Sequence, residues 1–127
     1  MGSNNAARNA RAVYSVGSED SAGNLVPVGG YTTPVALDTP PANLTAGANM
    51  ALTFASTVYV VTVENNSGED KNVAFPSPAT AGSYRVLDGE VREFTIPAGT
   101  TTMGIYGASA SPLNGSAAGN VIVEGRA

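Results

Sequence analysis

The chain has 127 residues, of which 43% are hydrophobic, so its length suits one domain with a sizeable hydrophobic core. It contains no cysteine and no histidine, which excludes disulfide bonds, thiolate metal sites and any catalytic or zinc-binding histidine. The formal net charge is −4, and after residue 12 four basic residues stand against ten acidic ones. Such an acidic body is a poor partner for phosphate backbones, so we predict no binding to nucleic acid.

The first twelve residues differ in composition from the rest of the chain. Residues 1–12 are rich in Asn and Ala, and they carry Arg8 and Arg11 but no acid. They lack the apolar stretch of a secretory signal, and no run of about 18 apolar residues occurs in the sequence, so we predict no membrane contact. We interpret residues 1–12 as an N-terminal arm, either a disordered tail or a segment that becomes ordered against a neighbouring molecule.

From residue 13 onward the pattern changes to short strands separated by glycine and proline. Segments 13–16 and 25–28 are predicted strands, and the second should lie at a sheet edge because Pro27 cannot donate to a ladder. Segment 31–37 alternates loosely until the two prolines at 40–41 end it.

The strongest strand signal lies at 57–64, where β-branched and aromatic residues follow one another almost without interruption. Segment 50–54 alternates large apolar with smaller residues, which is typical of a half-buried strand. After the turn signal at 65–68, segment 72–75 is the simplest hairpin partner for the strand at 57–64.

The dipeptide Asp88-Gly89 lies between two apolar segments and is typical of a tight hairpin turn. A strict two-residue turn would place Arg85 opposite Arg92, where like charges destabilise a strand pair. A loop of three residues instead places Tyr84 opposite Phe94, and this is the register that we predict.

Further strands are predicted at 91–96, 103–106 and 120–124, which brings the total to about eight or nine short strands. No segment has a sustained helical period, and no β-α-β unit fits, so the sheets should be antiparallel. The sequence therefore predicts an all-β fold, an antiparallel, jelly-roll-like β-sandwich over residues 13–127. A plainer Greek-key sandwich fits the same pattern.

Few side chains in this sequence suggest chemistry. The acidic pairs lie in predicted turns, where carboxylates commonly form local hydrogen bonds: Glu19 with Asp20, Glu69 with Asp70, and Asp88 with Glu90. Lys71 lies beside the second pair, and we predict that it is solvated. An irregular calcium site in these turns is a weaker alternative. We predict that the protein is not an enzyme, and we assign no catalytic, cofactor-binding or metal-binding residue.

The aromatic residues lie mostly in predicted strands, where core packing is their usual role. Tyr31 and Tyr106 each neighbour a glycine and are the aromatic residues that we expect to be most exposed. Tryptophan is absent, which counts against a sugar-stacking platform.

Four segments carry a resemblance to a known family. They are the Ala/Asn-rich arm, Thr-Val-Tyr-Val-Val-Thr-Val-Glu-Asn-Asn-Ser at 57–67, Phe-Thr-Ile-Pro-Ala-Gly-Thr at 94–100, and Val-Ile-Val-Glu at 121–124. Taken together, they resemble the small decoration, or cement, proteins of tailed-bacteriophage capsids, and the resemblance covers most of the chain.

This resemblance implies a β-sandwich or jelly-roll domain that binds the outer surface of a phage head and stabilises it. The implied location is the virion, at the capsid surface, and the implied partners are the major capsid protein and further copies of the chain in a homotrimer. No active site or cofactor is implied. We predict Arg8, Arg11 and Tyr14 as interface residues. The alternative is a carbohydrate- or receptor-binding β-sandwich module, at a fibre tip or in a tail or head adaptor.

Overall fold

The computed structural model describes residues 17–19, 25–27 and 30–127, and these residues form strands and turns without a helix. The strands are β1 (Gly17–Glu19), β2 (Leu25–Pro27), β3 (Pro34–Val35), β4 (Asn43–Leu44), β5 (Ala48–Asn65), β6 (Lys71–Ala74), β7 (Tyr84–Val86), β8 (Val91–Gly107), β9 (Ser111–Pro112) and β10 (Val121–Arg126). All of their ladders are antiparallel, so the predicted all-β, antiparallel class is confirmed. The described part of the chain has no helix able to cross a membrane.

The chain divides into two compact units, residues 1–32 and residues 33–127. In the first unit β1 and β2 form a two-stranded sheet. In the second unit, six strands form one sheet in the order β3-β10-β5-β8-β6-β7, and β4 pairs with β9. The predicted arm at 1–12 and the start of the predicted domain at residue 13 lie outside the described residues, so that boundary stays a prediction.

Two long strands organise the second unit, because β5 has 18 residues and β8 has 17. They pair with each other in two runs, 48–53 with 102–107 and 60–64 with 91–95, and the register shifts twice between the runs. Residues 54–57 of β5 lie opposite Thr101, and residues 96–99 of β8 bulge opposite the single residue Tyr59. Gly99 makes this bulge possible, since its φ is +74° and a Cβ there would lie 2.6 Å from Thr57 Cγ2. Each of the two strands was predicted as two separate strands, and the register shift explains why their patterns look interrupted.

The hydrophobic core lies between the two runs of the long strands. In the first half of β5 the buried side chains include Leu52 and Phe54, whereas beyond residue 60 they include Val61 and Val63, so the inward alternation changes phase after the irregular stretch. Both sets belong to one core cluster. The sheet therefore bends at this stretch and wraps a single core, as sandwiches do when strands pass from one layer to the other.

Two predicted strand pairings are wrong. Segment 72–75 does not pair with 57–64, because that stretch of β5 already has β8 on one side and β10 on the other, and β6 pairs with β7 and β8 instead. The turn at Asp88-Gly89 forms, with Glu90 N donating to Leu87 O at 3.0 Å, but it does not close a β7–β8 hairpin.

Candidate binding surface

The first part of β8, residues 91–95, forms an open edge of the six-stranded sheet. One side of this segment pairs with β5, while β6 reaches β8 only at residues 104–106. Within the part of the chain that the structure describes, no strand pairs with the other side of 91–95. We call residues 91–95 the open edge.

The direction of the backbone groups along the open edge follows from one hydrogen bond. Asn65 N donates to Glu90 O at 2.9 Å, which makes these two residues a hydrogen-bonded pair of the β5–β8 ladder. Hydrogen-bonded and non-hydrogen-bonded pairs alternate along an antiparallel ladder. The N–H and C=O groups of Val91, Glu93 and Thr95 therefore point away from β5, toward the open side.

An aromatic cluster lies beside the open edge, in a cleft of about 400 Å³. The ring of Phe94 packs against Phe75 at 5.1 Å between centroids and against Tyr84 at 5.8 Å, with interplanar angles of 50° and 43°. Such tilted contacts are favourable for aromatic pairs. We call Phe75, Tyr84 and Phe94 the aromatic cluster.

The aromatic cluster forms an exposed apolar patch through Tyr84. Three large hydrophobic side chains are strongly exposed among the described residues, and all three lie around the turn between β7 and β8: Tyr84 (62%), Leu87 (49%) and Val91 (61%). Val91 alternates with Arg92 along β8, so its side chain lies on the other face of the sheet from the cluster. An exposed aromatic group such as the cluster is a candidate interaction site.

Two arginines border this patch. The guanidinium of Arg92 lies 5.2 Å from the centre of the Phe94 ring, and its Nη1 donates to Arg85 O at 2.8 Å. Arg92 has no carboxylate partner among the residues that the structure describes, and Arg85 reaches Asp70 only at 4.0 Å. The other described cations have closer carboxylate partners. The positive charge that remains available to a ligand therefore lies beside the aromatic cluster.

Asn65 anchors the turn that leads into the open edge. It is fully buried, its Nδ2 donates to Glu69 O at 2.8 Å and to Val86 O at 3.0 Å, and its Oδ1 accepts from Ser67 N at 3.1 Å. Its carbonyl accepts from Gly89 N at 2.7 Å. Asn65 thus ties the 65–70 loop to β7 through its side chain and to the turn at 87–90 through its backbone.

The acids of these turns accept hydrogen bonds from backbone N–H groups. Asp88 accepts from Gly68 N at 2.9 Å, Asp70 from Asp88 N at 3.0 Å, and Glu90 from Leu87 N at 2.8 Å. These contacts agree with the interpretation of two acidic pairs, Glu69 with Asp70 and Asp88 with Glu90, as turn residues. Glu19 lies in β1 rather than in a turn, so that prediction is wrong for Glu19. Across the described ranges, no group of three or more acidic side chains is placed to hold a metal ion.

The prediction that Lys71 is solvated is wrong. Lys71 is only 1% exposed, and its Nζ donates to Glu69 Oε2 and to Ser109 O, each at 2.8 Å. Gly107 provides the space, since a Cβ there would lie 2.5 Å from Lys71 Cδ. The hydrogen bond from Lys71, with a second from Ser109 N, lowers the pKa of Glu69 from 4.5 to about 2.

This ion pair makes the stability of the protein depend on pH. Because the pKa of Glu69 is lower in the folded chain, its contribution is complete above about pH 5 and is lost as the pH falls toward 2. We expect Glu69→Gln to cost about 1–2 kcal/mol at pH 7 and almost nothing near pH 2, measured by urea unfolding across this range. A cost that stays constant with pH would contradict the ion pair.

The interface residues predicted from the sequence are not among the described residues. Arg8, Arg11 and Tyr14 fall outside the described residues and stay predictions. Tyr31 and Tyr106 are only partly exposed, whereas Tyr84 is strongly exposed.

The open edge and its aromatic cluster were not anticipated from the sequence. The predicted register did place Tyr84 opposite Phe94, and the two rings are in contact, although their strands are not paired. That pairing of two aromatic residues was the one signal of the cluster in the sequence.

Comparison of the chain with protein-family models, with curated proteins and with solved structures finds no match. The indications of function therefore come from the structure itself, namely the open edge and the aromatic cluster with its neighbouring arginines.

Proposed function

We propose that the protein is a structural virion protein that decorates the outer surface of a phage head and stabilises it. Its partners are the major capsid protein and further copies of the chain, and it has no enzymatic role. The observation that carries this proposal is the exposed aromatic cluster with its arginines along an open sheet edge. The resemblance of the sequence to capsid decoration proteins is the reason for proposing a phage capsid as the surface that the protein binds.

The composition of the patch favours a protein partner. Tyr, Phe and Arg are enriched at the centres of protein interfaces, and aromatic and arginine side chains supply much of their binding energy. The described residues 30–127 otherwise carry a surplus of acid, with eight Asp and Glu against four Lys and Arg. Within residues 30–127, a partner is thus directed to the region where apolar surface and available positive charge coincide.

Attachment to a repeating capsid lattice would strengthen binding through a patch of this size. Each copy needs only a modest patch, because contacts made at several points of a lattice add through high effective concentration. Only 13% of the residues are charged, about half the usual share of about 25%, which suits a domain that is partly covered in its working state.

A glycan-binding or receptor-binding module is the second candidate, since an aromatic cleft with an arginine and an acid can bind sugars. The geometry favours this candidate less. A sugar stacks on an open ring face, whereas Phe94 packs against two tilted rings and has Arg92 over it. Tyr84 is the one strongly exposed ring of the cluster.

The test is to mix the purified protein with heads assembled from the major capsid protein of the same phage, without a decoration protein. We expect saturable binding at a fixed ratio per capsid subunit and an increase in the melting temperature of the heads. A glycan array in parallel tests the second candidate. Absence of binding to the heads, or selective binding to a glycan, would refute the proposal.

A charge reversal tests the predicted arm separately. If residues 1–12 contact the shell, the double variant Arg8→Glu, Arg11→Glu should weaken head binding about tenfold, because two attractive charges become repulsive. The matched variant Arg8→Lys, Arg11→Lys keeps the charge and should bind like the original chain. Equal affinity of the two double variants would remove the arm from the interface.

A further inference from the structure

We propose that the open edge binds an extended segment of the partner polypeptide as an added β-strand, and that this segment carries apolar and acidic side chains on one face. This inference rests on the proposed function, because it names the part of the partner that the surface would recognise.

The backbone of the open edge is arranged for strand addition. Val91, Glu93 and Thr95 point their N–H and C=O groups outward, at every second residue, as a neighbouring strand requires. Exposed edges of this kind pair readily with another chain, and many peptide-binding domains use them in this way.

The cleft specifies apolar side chains on one face of the added strand. Phe94 lies directly opposite the buried Val61 in the ladder, so its ring is on the core side of the sheet. An added strand would place alternate side chains on that same side, over the cleft between Phe94 and Tyr84. Apolar side chains there would extend the core past the present edge.

Arg92 specifies an acidic side chain at the next position on that face. It lies opposite Val63 in the ladder, so it projects to the same side as Phe94, and it lines the cleft. A carboxylate two residues from the apolar side chain would meet this guanidinium group. The rest of the described surface is mainly acidic and repels an acidic segment. Charge therefore determines where the segment binds as well as how tightly it binds.

The same charges argue against a second copy of the chain as the occupant. A second copy could pair through its own open edge, with the same face toward the core. It would then place its own Arg92 on the side of the sheet that already carries Arg92, and the two like charges would repel. Charge complementarity therefore favours a different chain.

The test is an NMR titration of the labelled full-length chain with the synthetic peptide Val-Thr-Glu-Thr-Val-Thr-Glu-Thr. We expect saturable shifts centred on the amides of Val91, Glu93 and Thr95. The same peptide with Lys in place of Glu should bind about tenfold more weakly, because like charges then meet at the cleft. Equal binding of both peptides, or shifts centred elsewhere, would overturn the inference.

Two variants locate the binding on the chain. Thr95→Pro removes an outward N–H without breaking the ladder to β5 and should abolish peptide binding, whereas Thr95→Ser keeps the donor and should bind normally. If the proline variant melts early, Arg92→Glu provides the second test, because it should reverse the preference toward the Lys peptide. Retention of the original preference in that charge-reversed protein would overturn the inference.

Further measurements separate this inference from the proposed function. If the chain binds heads but Thr95→Pro binds them equally well, the strand addition is wrong while the decoration role stands. If the peptide binds but heads do not, the decoration role is wrong while the peptide site stands. A dimer seen by sedimentation and abolished by Thr95→Pro would identify a second copy as the occupant and overturn the inference.

Discussion

Asn65→Ala is expected to lower the free energy of unfolding by about 3–5 kcal/mol. The substitution removes the donor to two carbonyls, Glu69 O and Val86 O, and the acceptor for Ser67 N, from a side chain that is itself fully buried. Each buried polar group left without a partner costs about 1–3 kcal/mol. Urea unfolding at neutral pH measures the loss.

Asn66→Ala is the matched control, because the neighbouring side chain bonds to Glu64 and Asn120 but is exposed. Its cost should stay within about 1 kcal/mol. A similar loss in both variants would show that burial of the Asn65 network does not contribute as proposed. In Asn65→Ala, hydrogen exchange should also accelerate at the Ser67 amide, because this amide loses the Asn65 Oδ1 acceptor.

Tyr84→Ala should weaken binding to phage heads about 30-fold or more, since an aromatic residue at the centre of an interface typically contributes at least about 2 kcal/mol. The folded chain should be little affected, because Tyr84 is 62% exposed. Binding to heads is measured by co-sedimentation across a range of protein concentrations.

Tyr84→Phe is the matched control for this prediction, because it keeps the ring and removes only the hydroxyl. It should bind heads like the original chain if the contact is apolar. Loss of binding in Tyr84→Phe as well would assign the contribution to the hydroxyl and favour a polar ligand. Unchanged binding in Tyr84→Ala would move the head contact away from the aromatic cluster.

The sequence predicts the class of the fold because that class depends on local patterns. The β-branched run at 57–64 lies within β5, and segment 120–124 corresponds to most of β10. The turn at Asp88-Gly89 also forms as its residues indicate. Short strands bounded by glycine and proline are sufficient to indicate antiparallel β structure.

Strand partners and burial depend on residues far apart in the sequence, and there the predictions fail. Lys71 looks solvated beside two acids, but Gly107 leaves the space that buries it. The Pro97-Ala98-Gly99 segment looks like the end of a strand, whereas it is a bulge within β8. The open edge exists because no described strand pairs with its outer side. A missing strand partner leaves no local pattern in the sequence.

The long strands β5 and β8 also determine how the second unit can come apart. Each runs through both sides of the core, so neither side can lose its strands while the other keeps them. Many domains open partially, one supersecondary unit at a time, and their amides exchange during such openings. The two long strands leave no boundary in the second unit at which a part of it could open separately. We therefore expect residues 33–127 to melt in a single cooperative transition, with nearly uniform hydrogen-exchange protection along both strands.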